Sequence, residues 1–170
     1  MNAMPTTTDL VSRTMPSPIG PLRLVARADA LVAIDFPNHD GGLAARTIRT
    51  PHRVLDQARD ELDAYFAGAR TTFTVPLAAA GTPFQQMVWD ALVTIPFAET
   101  WSYGQLARAI GRPSASRAVG AANGKNPLPI VVPCHRVIGA AGALVGFGGG
   151  LATKQWLLAH EQGQRQLALA

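Results

Sequence analysis

The chain has 170 residues, 48% of them apolar, enough for one large or two small domains with buried cores, which excludes a disordered tail. Lys and Arg outnumber Asp and Glu by 15 to 11, a net charge of +4 that favours polyanionic partners without identifying one. A single cysteine excludes an internal disulfide, and no Cys/His cluster has the ligand count or spacing of a structural zinc site, so no metal is expected and a reducing compartment is.

The opening MNAMPTTTDL has neither the basic nor the apolar region of a secretory signal, and no run of about eighteen apolar residues lacks a charge. A cytoplasmic protein without membrane contact is expected, starting with a flexible tail over residues 1–12. An N-terminal α/β domain is placed at 13–75. There Ser17-Pro18-Ile19-Gly20-Pro21 has turn chemistry, Leu22 to Ala26 alternates partly as a strand, and Leu31 to Phe36 reads as its hairpin partner. A loop follows, whose Arg-rich part from Arg46 to Arg53 reads as a solvated surface. Leu55, Ala58, Leu62 and Tyr65 then recur at helical spacing, predicting a helix over 54–67. Residues 76–81 carry no charge and no period and are assigned as a linker.

A mainly helical domain is expected over 82–170. Thr82-Pro83-Phe84-Gln85 is a capping box with proline at the first helical position, and Phe84, Met87, Val88, Ala91 and Leu92 form one apolar face. Ser102 and Gln105 make a second capping box before Leu106, Ala109 and Ile110, and Gly111 ends that helix. Ser114 is expected to cap a third helix over 115–122. Two short helices about a Gly-Arg-Pro turn describe a helix-turn-helix. The second is nearly devoid of bulky side chains, so its backbone can approach a phosphate or a groove wall, with Arg117 as a single long cationic probe.

The lone cysteine lies in PCHRVIG. Ile130-Val131-Val132, between Pro129 and Pro133, reads as a short buried strand that delivers Cys134 at its end, and the basic His135 and Arg136 are expected to lower the thiol pKa. Successive residues of a strand face opposite ways, so His135 meets the sulfur only if the chain turns there or a water relays the proton. Asp90, Glu99 and Glu161 are the acids available to orient the imidazole. Glu161, at the end of a helix over 152–162 after the Gly-rich Gly146 to Gly150, is preferred. The bland alternatives are an inert buried thiol and a solvated carboxylate.

PCHRVIG, with Asn126-Pro127-Leu128-Pro129 before it, the Gly-rich loop and Lys154-Gln155-Trp156-Leu157-Leu158-Ala159-His160-Glu161 after it, and SPIGPL in the first domain, resembles the methylated-DNA–protein-cysteine methyltransferases, or O6-alkylguanine-DNA alkyltransferases, over essentially the whole chain. The resemblance implies an α+β fold of two domains, a ribonuclease-H-like N-terminal domain and a mainly helical C-terminal one with the helix-turn-helix. It implies single-turnover transfer of the alkyl group from O6-alkylguanine in DNA to Cys134 after base flipping, without a cofactor, with O4-alkylthymine as a further candidate substrate. In this reading His135 takes the thiol proton through water, Glu161 holds His135, Asn126 ties the backbone to the relay, and Tyr103 donates to the departing guanine. Arg117 enters the base stack, with Ser114, Ala118, Ala121, Gly124 and Lys125 facing the minor groove of double-stranded DNA. Val137, Phe147 and Gly148 line the substrate pocket. Many relatives have Tyr in place of Phe147 and some Ser in place of Gly148, so hydroxyl contacts there are absent, and Gly148-Gly149-Gly150 is expected to make the loop mobile and tolerant of bulkier alkyl groups. A monomer is expected, with cooperative binding along DNA a further option. A lesion-binding relative, a helix-turn-helix regulator and a Cys-His hydrolase are the competing classes; the first lacks a reactive Cys, the second leaves PCHR unexplained, and the third turns over repeatedly.

Overall fold

The computed structural model describes residues 9–169, and the chain divides into two units between Ala80 and Gly81. In the first, β1 (Val11–Met15) pairs antiparallel with β2 (Leu22–Ala26) and parallel with β4 (Arg46–Thr47), and β3 (Leu31–Asp35) forms the other edge beside β2. Leu22, Leu24, Leu31 and Ile34 are buried under the helix α1 (Arg53–Phe66), whose Val54, Leu55, Ala58, Leu62 and Tyr65 recur along one stripe facing the sheet. His52 starts the helix by accepting the Leu55 N–H at Nδ1. Glu61 is buried in that stripe because its carboxylate accepts the N–H groups of Thr74 and Val75, which ties down the chain beyond the helix.

The hairpin and the helix stand where the periodicity predicts them, but β1 and β4 do not follow from it. VSRTM carries an arginine at its centre, and a two-residue strand has no period to detect. The expected tail is shortened accordingly: Val11 and Ser12 already pair with Ala26 and Val25, while residues 1–8 of that tail lie outside the described residues.

The second unit holds α2 (Pro83–Val93), β5 (Trp101–Ser102), α3 (Tyr103–Ala109), α4 (Ser116–Gly124), β6 (Val137–Ile138) and α5 (Leu151–Leu169). Both capping boxes form: Thr82 with Gln85 opens α2, and Ser102 with Gln105 opens α3. The buried face of α2 is Val88, Trp89 and Leu92, whereas Met87 is exposed and Phe84 half-buried. The face is rotated from the expected one because the Trp89 indole turns inward and donates to the Ala122 carbonyl, 2.9 Å away, joining α2 to α4.

The third helix departs from expectation at its start. Ser114 does not cap it: Gly111, at φ 72°, and a turn closed by the Ala115 N–H on the Arg112 carbonyl put Ser114 inside the connection, and α4 begins at Ser116 with no side-chain cap. The last helix runs seven residues past the predicted end, to Leu169, so Glu161 sits in its interior and not at its terminus. No helix among the described residues is long and apolar enough to cross a membrane.

Candidate active site

The approach to the thiol is a knot of turns, not the expected strand. Val132 N–H bonds to the Leu128 carbonyl, Val131 N–H to Pro129, and Ile130 is held at φ 73°, a left-handed conformation that costs a β-branched residue about 1–2 kcal/mol. Two prolines deny this segment the N–H groups that a strand needs, and Asn126 supplies the closure. Its Nδ2 donates to the Val132 carbonyl at 2.8 Å and its Oδ1 accepts from Leu128 N–H at 3.0 Å. The chain then winds into one 3-10 turn, Cys134–Arg136, in which consecutive side chains diverge by about 120° instead of the 180° of a strand. That turn is what lets neighbours in sequence share one buried cluster.

Cys134, His135 and Arg136 are all buried, as is Glu161 on α5. His135 Nε2 lies 2.9 and 3.2 Å from the two Glu161 oxygens, and Arg136 Nε donates to the same pair at 2.8 and 3.0 Å. Arg136 also donates from Nη1 to the Ile95 carbonyl at 2.7 Å and lies over the Phe97 ring. The other two acids weighed for the orienting role, Asp90 and Glu99, are exposed.

Burial decides the charges. It raises the Cys134 thiol to about 11, against the weaker opposing effects of Asn126 and the Lys154 charge, so the expected lowering by nearby cations does not occur. The reason is geometric: Arg136 points to Glu161 and His135 is uncharged. Burial also holds the His135 imidazole below its ordinary value in spite of Glu161. For Glu161 burial works upward, but the bonds from His135 and Arg136 outweigh it and keep the carboxyl below its usual range. An ionised carboxylate only accepts, so the imidazole proton sits on Nε2 and the lone pair on Nδ1. Nδ1 is buried and has no hydrogen-bond partner among the described residues.

Around the thiol, Asn123 of α4 is buried and its Nδ2 approaches the Cys134 carbonyl at 3.5 Å. Fully buried Lys154 donates to the carbonyls of Val137 at 2.6 Å and Val145 at 3.1 Å, tying β6 to the Gly-rich loop. Tyr103, half-buried at the start of α3, reaches the same Val145 carbonyl at 3.4 Å. Burial and then the Cys134 charge raise its phenol above the ordinary value, so it keeps its proton at neutral pH. Val137 is buried, Phe147 half-buried and Gly148 exposed. Across α4, Val119, Ala122 and Asn123 face inward, whereas Arg117, Ala118, Ala121, Gly124 and Lys125 are exposed along one side, with Ser114 exposed in the preceding turn.

Three residues of this cluster escape sequence reasoning. Arg136 is legible only as a cation beside the thiol, and Lys154 only as part of a motif. Asn123 had a usable signal: it lies four residues after Val119, on the stripe that α4 buries, where an amide needs a polar partner.

The architecture defines a class, a two-domain protein with a sheet-and-helix unit and a helical unit that buries a cysteine next to a His-Glu pair. Residues 10–79 match the family model of the 6-O-methylguanine DNA methyltransferase ribonuclease-like domain, and residues 83–163 match that of the DNA-binding domain of the same methyltransferase. The methylated-DNA–protein-cysteine methyltransferase of Mycobacterium leprae is 47% identical over 152 residues, 89% of this chain and 92% of the relative, and that of Mycobacterium bovis is 51% identical over 151 residues, 88% and 91%. The crystal structure of Mycobacterium tuberculosis OGT in complex with DNA is similar at a TM-score of 0.84 and 47% identity, over 91% of this chain and 94% of that one. The chain belongs to the methylated-DNA–protein-cysteine methyltransferase family.

Proposed function

We propose that this protein repairs O6-alkylguanine in double-stranded DNA by moving the alkyl group to Cys134, once per molecule. The observation that carries the reading is the buried line from the Cys134 turn through His135 to Glu161, with Nδ1 of the imidazole unpartnered among the described residues. With the thiol raised to about 11, the resting protein holds almost no thiolate at neutral pH, so the proton leaves only as the reaction proceeds. In that step the Cys134 sulfur attacks the alkyl carbon and forms the S–C bond. Its proton passes through a water to His135 Nδ1, and Glu161 stabilises the resulting imidazolium. The C–O6 bond breaks with its electron pair on the guanine, which takes a proton from Tyr103 or solvent, so charge and atoms balance. The alkylated base is itself the activated donor. A thioether is a poor leaving group, which makes each molecule act once.

The O6 atom lies within the base stack, and in-line attack requires the nucleotide to be flipped out, at a cost of a few kcal/mol. The exposed side of α4 suits such extrusion, since Ala118, Ala121 and Gly124 allow close approach to a narrow minor groove, Lys125 adds phosphate contact, and Arg117 fills the vacated stack. Val137, Phe147 and Gly148 then border the pocket, and O4-alkylthymine is a second substrate of the same chemistry. We place the protein in the cytoplasm as a monomer that acts on scattered lesions.

The test is incubation with a duplex carrying one O6-methylguanine, followed by peptide mass analysis, with Cys134→Ala as control. One methyl group on the Cys134 peptide, saturating at one per molecule, is the expected result. Tight binding without a mass change would instead indicate a lesion-binding protein, and continued turnover on an ester would indicate a hydrolase.

A further inference from the structure

Arg136 is the one buried charged side chain of the turn to which alkyl transfer assigns no role. Its Nε faces both oxygens of Glu161, at 2.8 and 3.0 Å, and these are the oxygens that His135 Nε2 meets at 2.9 and 3.2 Å. Both donors come from consecutive residues of a single 3-10 turn, so one stretch of backbone sets both on the same carboxylate. The far end of the guanidinium is fixed as well, by the Ile95 carbonyl at 2.7 Å and by Phe97 beneath it.

We infer that Arg136 is a positioning residue for the proton relay: by occupying Glu161 together with His135, it fixes the carboxylate as an acceptor and thereby fixes the imidazole with its proton on Nε2 and its lone pair on the unpartnered Nδ1. This inference rests on the alkyl-transfer reading of the site. Two consequences follow from charge. A carboxylate paired with a guanidinium resists protonation, so it stays available to orient His135 at lower pH. A cation placed behind the carboxylate also makes the imidazolium less favourable, which keeps His135 neutral and able to act as a base. The Lys154 charge, on α5, acts on His135 in the same direction, and Cys134 and Tyr103 complete the titratable groups of the cluster. Removing Arg136 therefore raises the proton affinity of Glu161 and of His135 together, and both changes act in one direction on the relay.

The experiment is the pH–rate profile of methyl transfer from a duplex containing O6-methylguanine, for the wild-type protein, Arg136→Met and Arg136→Lys. The acid limb is expected to move to higher pH by about 1 unit in Arg136→Met. It is expected to stay near the wild-type position in Arg136→Lys, which keeps the charge, even if the rate falls. A residue that only supports the fold would lower the rate at every pH and leave the limb in place, and that outcome would overturn the inference. Should Arg136→Met not fold, the wild-type protein decides: nitrogen NMR at neutral pH is expected to show His135 neutral with its proton on Nε2, and a proton on Nδ1, or an imidazolium, would overturn it equally. If the wild-type protein transfers no methyl group at all, it is the proposed alkyl transfer itself that fails.

Discussion

Asn126 and Val132 are joined across the active-site turn, Nδ2 to carbonyl at 2.8 Å, and the same Val132 carbonyl accepts the N–H of Cys134. One acceptor thus ties the asparagine to the backbone of Cys134. In Asn126→Ala the Leu128 N–H also loses its acceptor, and the stability cost is expected to be about 1–3 kcal/mol. Because the sulfur is then placed less closely, methyl transfer is expected to fall by about 100-fold. Urea denaturation and single-turnover kinetics measure the two effects separately.

Glu161→Gln removes the carboxylate that faces Arg136 and leaves a buried guanidinium uncompensated, for an expected loss of about 3–5 kcal/mol. Adding Arg136→Met to that variant is expected to return part of the stability. A double-mutant cycle in denaturant reads the coupling, and strict additivity would contradict the shared-carboxylate geometry.

The thiol makes a pH signature. Its folded value of about 11 lies above the ordinary 9.0, so below pH 9 its contribution to stability is fully present. As pH rises toward 11 the unfolded thiol ionises first and that contribution is lost, about 3 kcal/mol in all. Denaturant unfolding of the wild-type protein and Cys134→Ala, followed from below pH 9 up to about 11, is the comparison. The wild type is expected to lose more stability than the variant as the pH rises.

Arg117 is exposed on α4, so Arg117→Ala is expected to change folding stability by no more than about 0.5 kcal/mol. If it fills the stack, extrusion of the target base, read by a fluorescent analogue beside the lesion, falls together with the transfer rate. A residue that touched only phosphate would instead reduce the salt slope of binding by about 1 and leave extrusion unaffected.

How far the chain could be read in advance depended on the range of the forces involved. The two capping boxes, the helix at Arg53–Phe66 and the β2–β3 hairpin are local: their donors, acceptors and apolar periods lie within a few residues of each other. Ser114 failed as a cap because a turn closed by Arg112 and Ala115 set the helix start later than expected, and β1 could not be seen because Arg13 at its centre breaks the apolar pattern, although its partner β2 is near in sequence. Ile130 to Val132 misled for another reason. Three β-branched residues favour a strand in isolation, but flanking prolines and the Asn126 clamp impose a turn.

The sequence by itself determined the candidate groups, a thiol, an imidazole and a carboxylate in PCHR and the downstream WLLAHE, and through these motifs the family resemblance; residue types alone fit a Cys-His hydrolase as well. Only the tertiary structure decided how they work. The 3-10 turn brings His135 and Arg136 onto one carboxylate, and exclusion of water raises the thiol where nearby cations alone would have lowered it. Desolvation and long-range contact depend on what folds over a residue, and no stretch of neighbouring sequence contains that information.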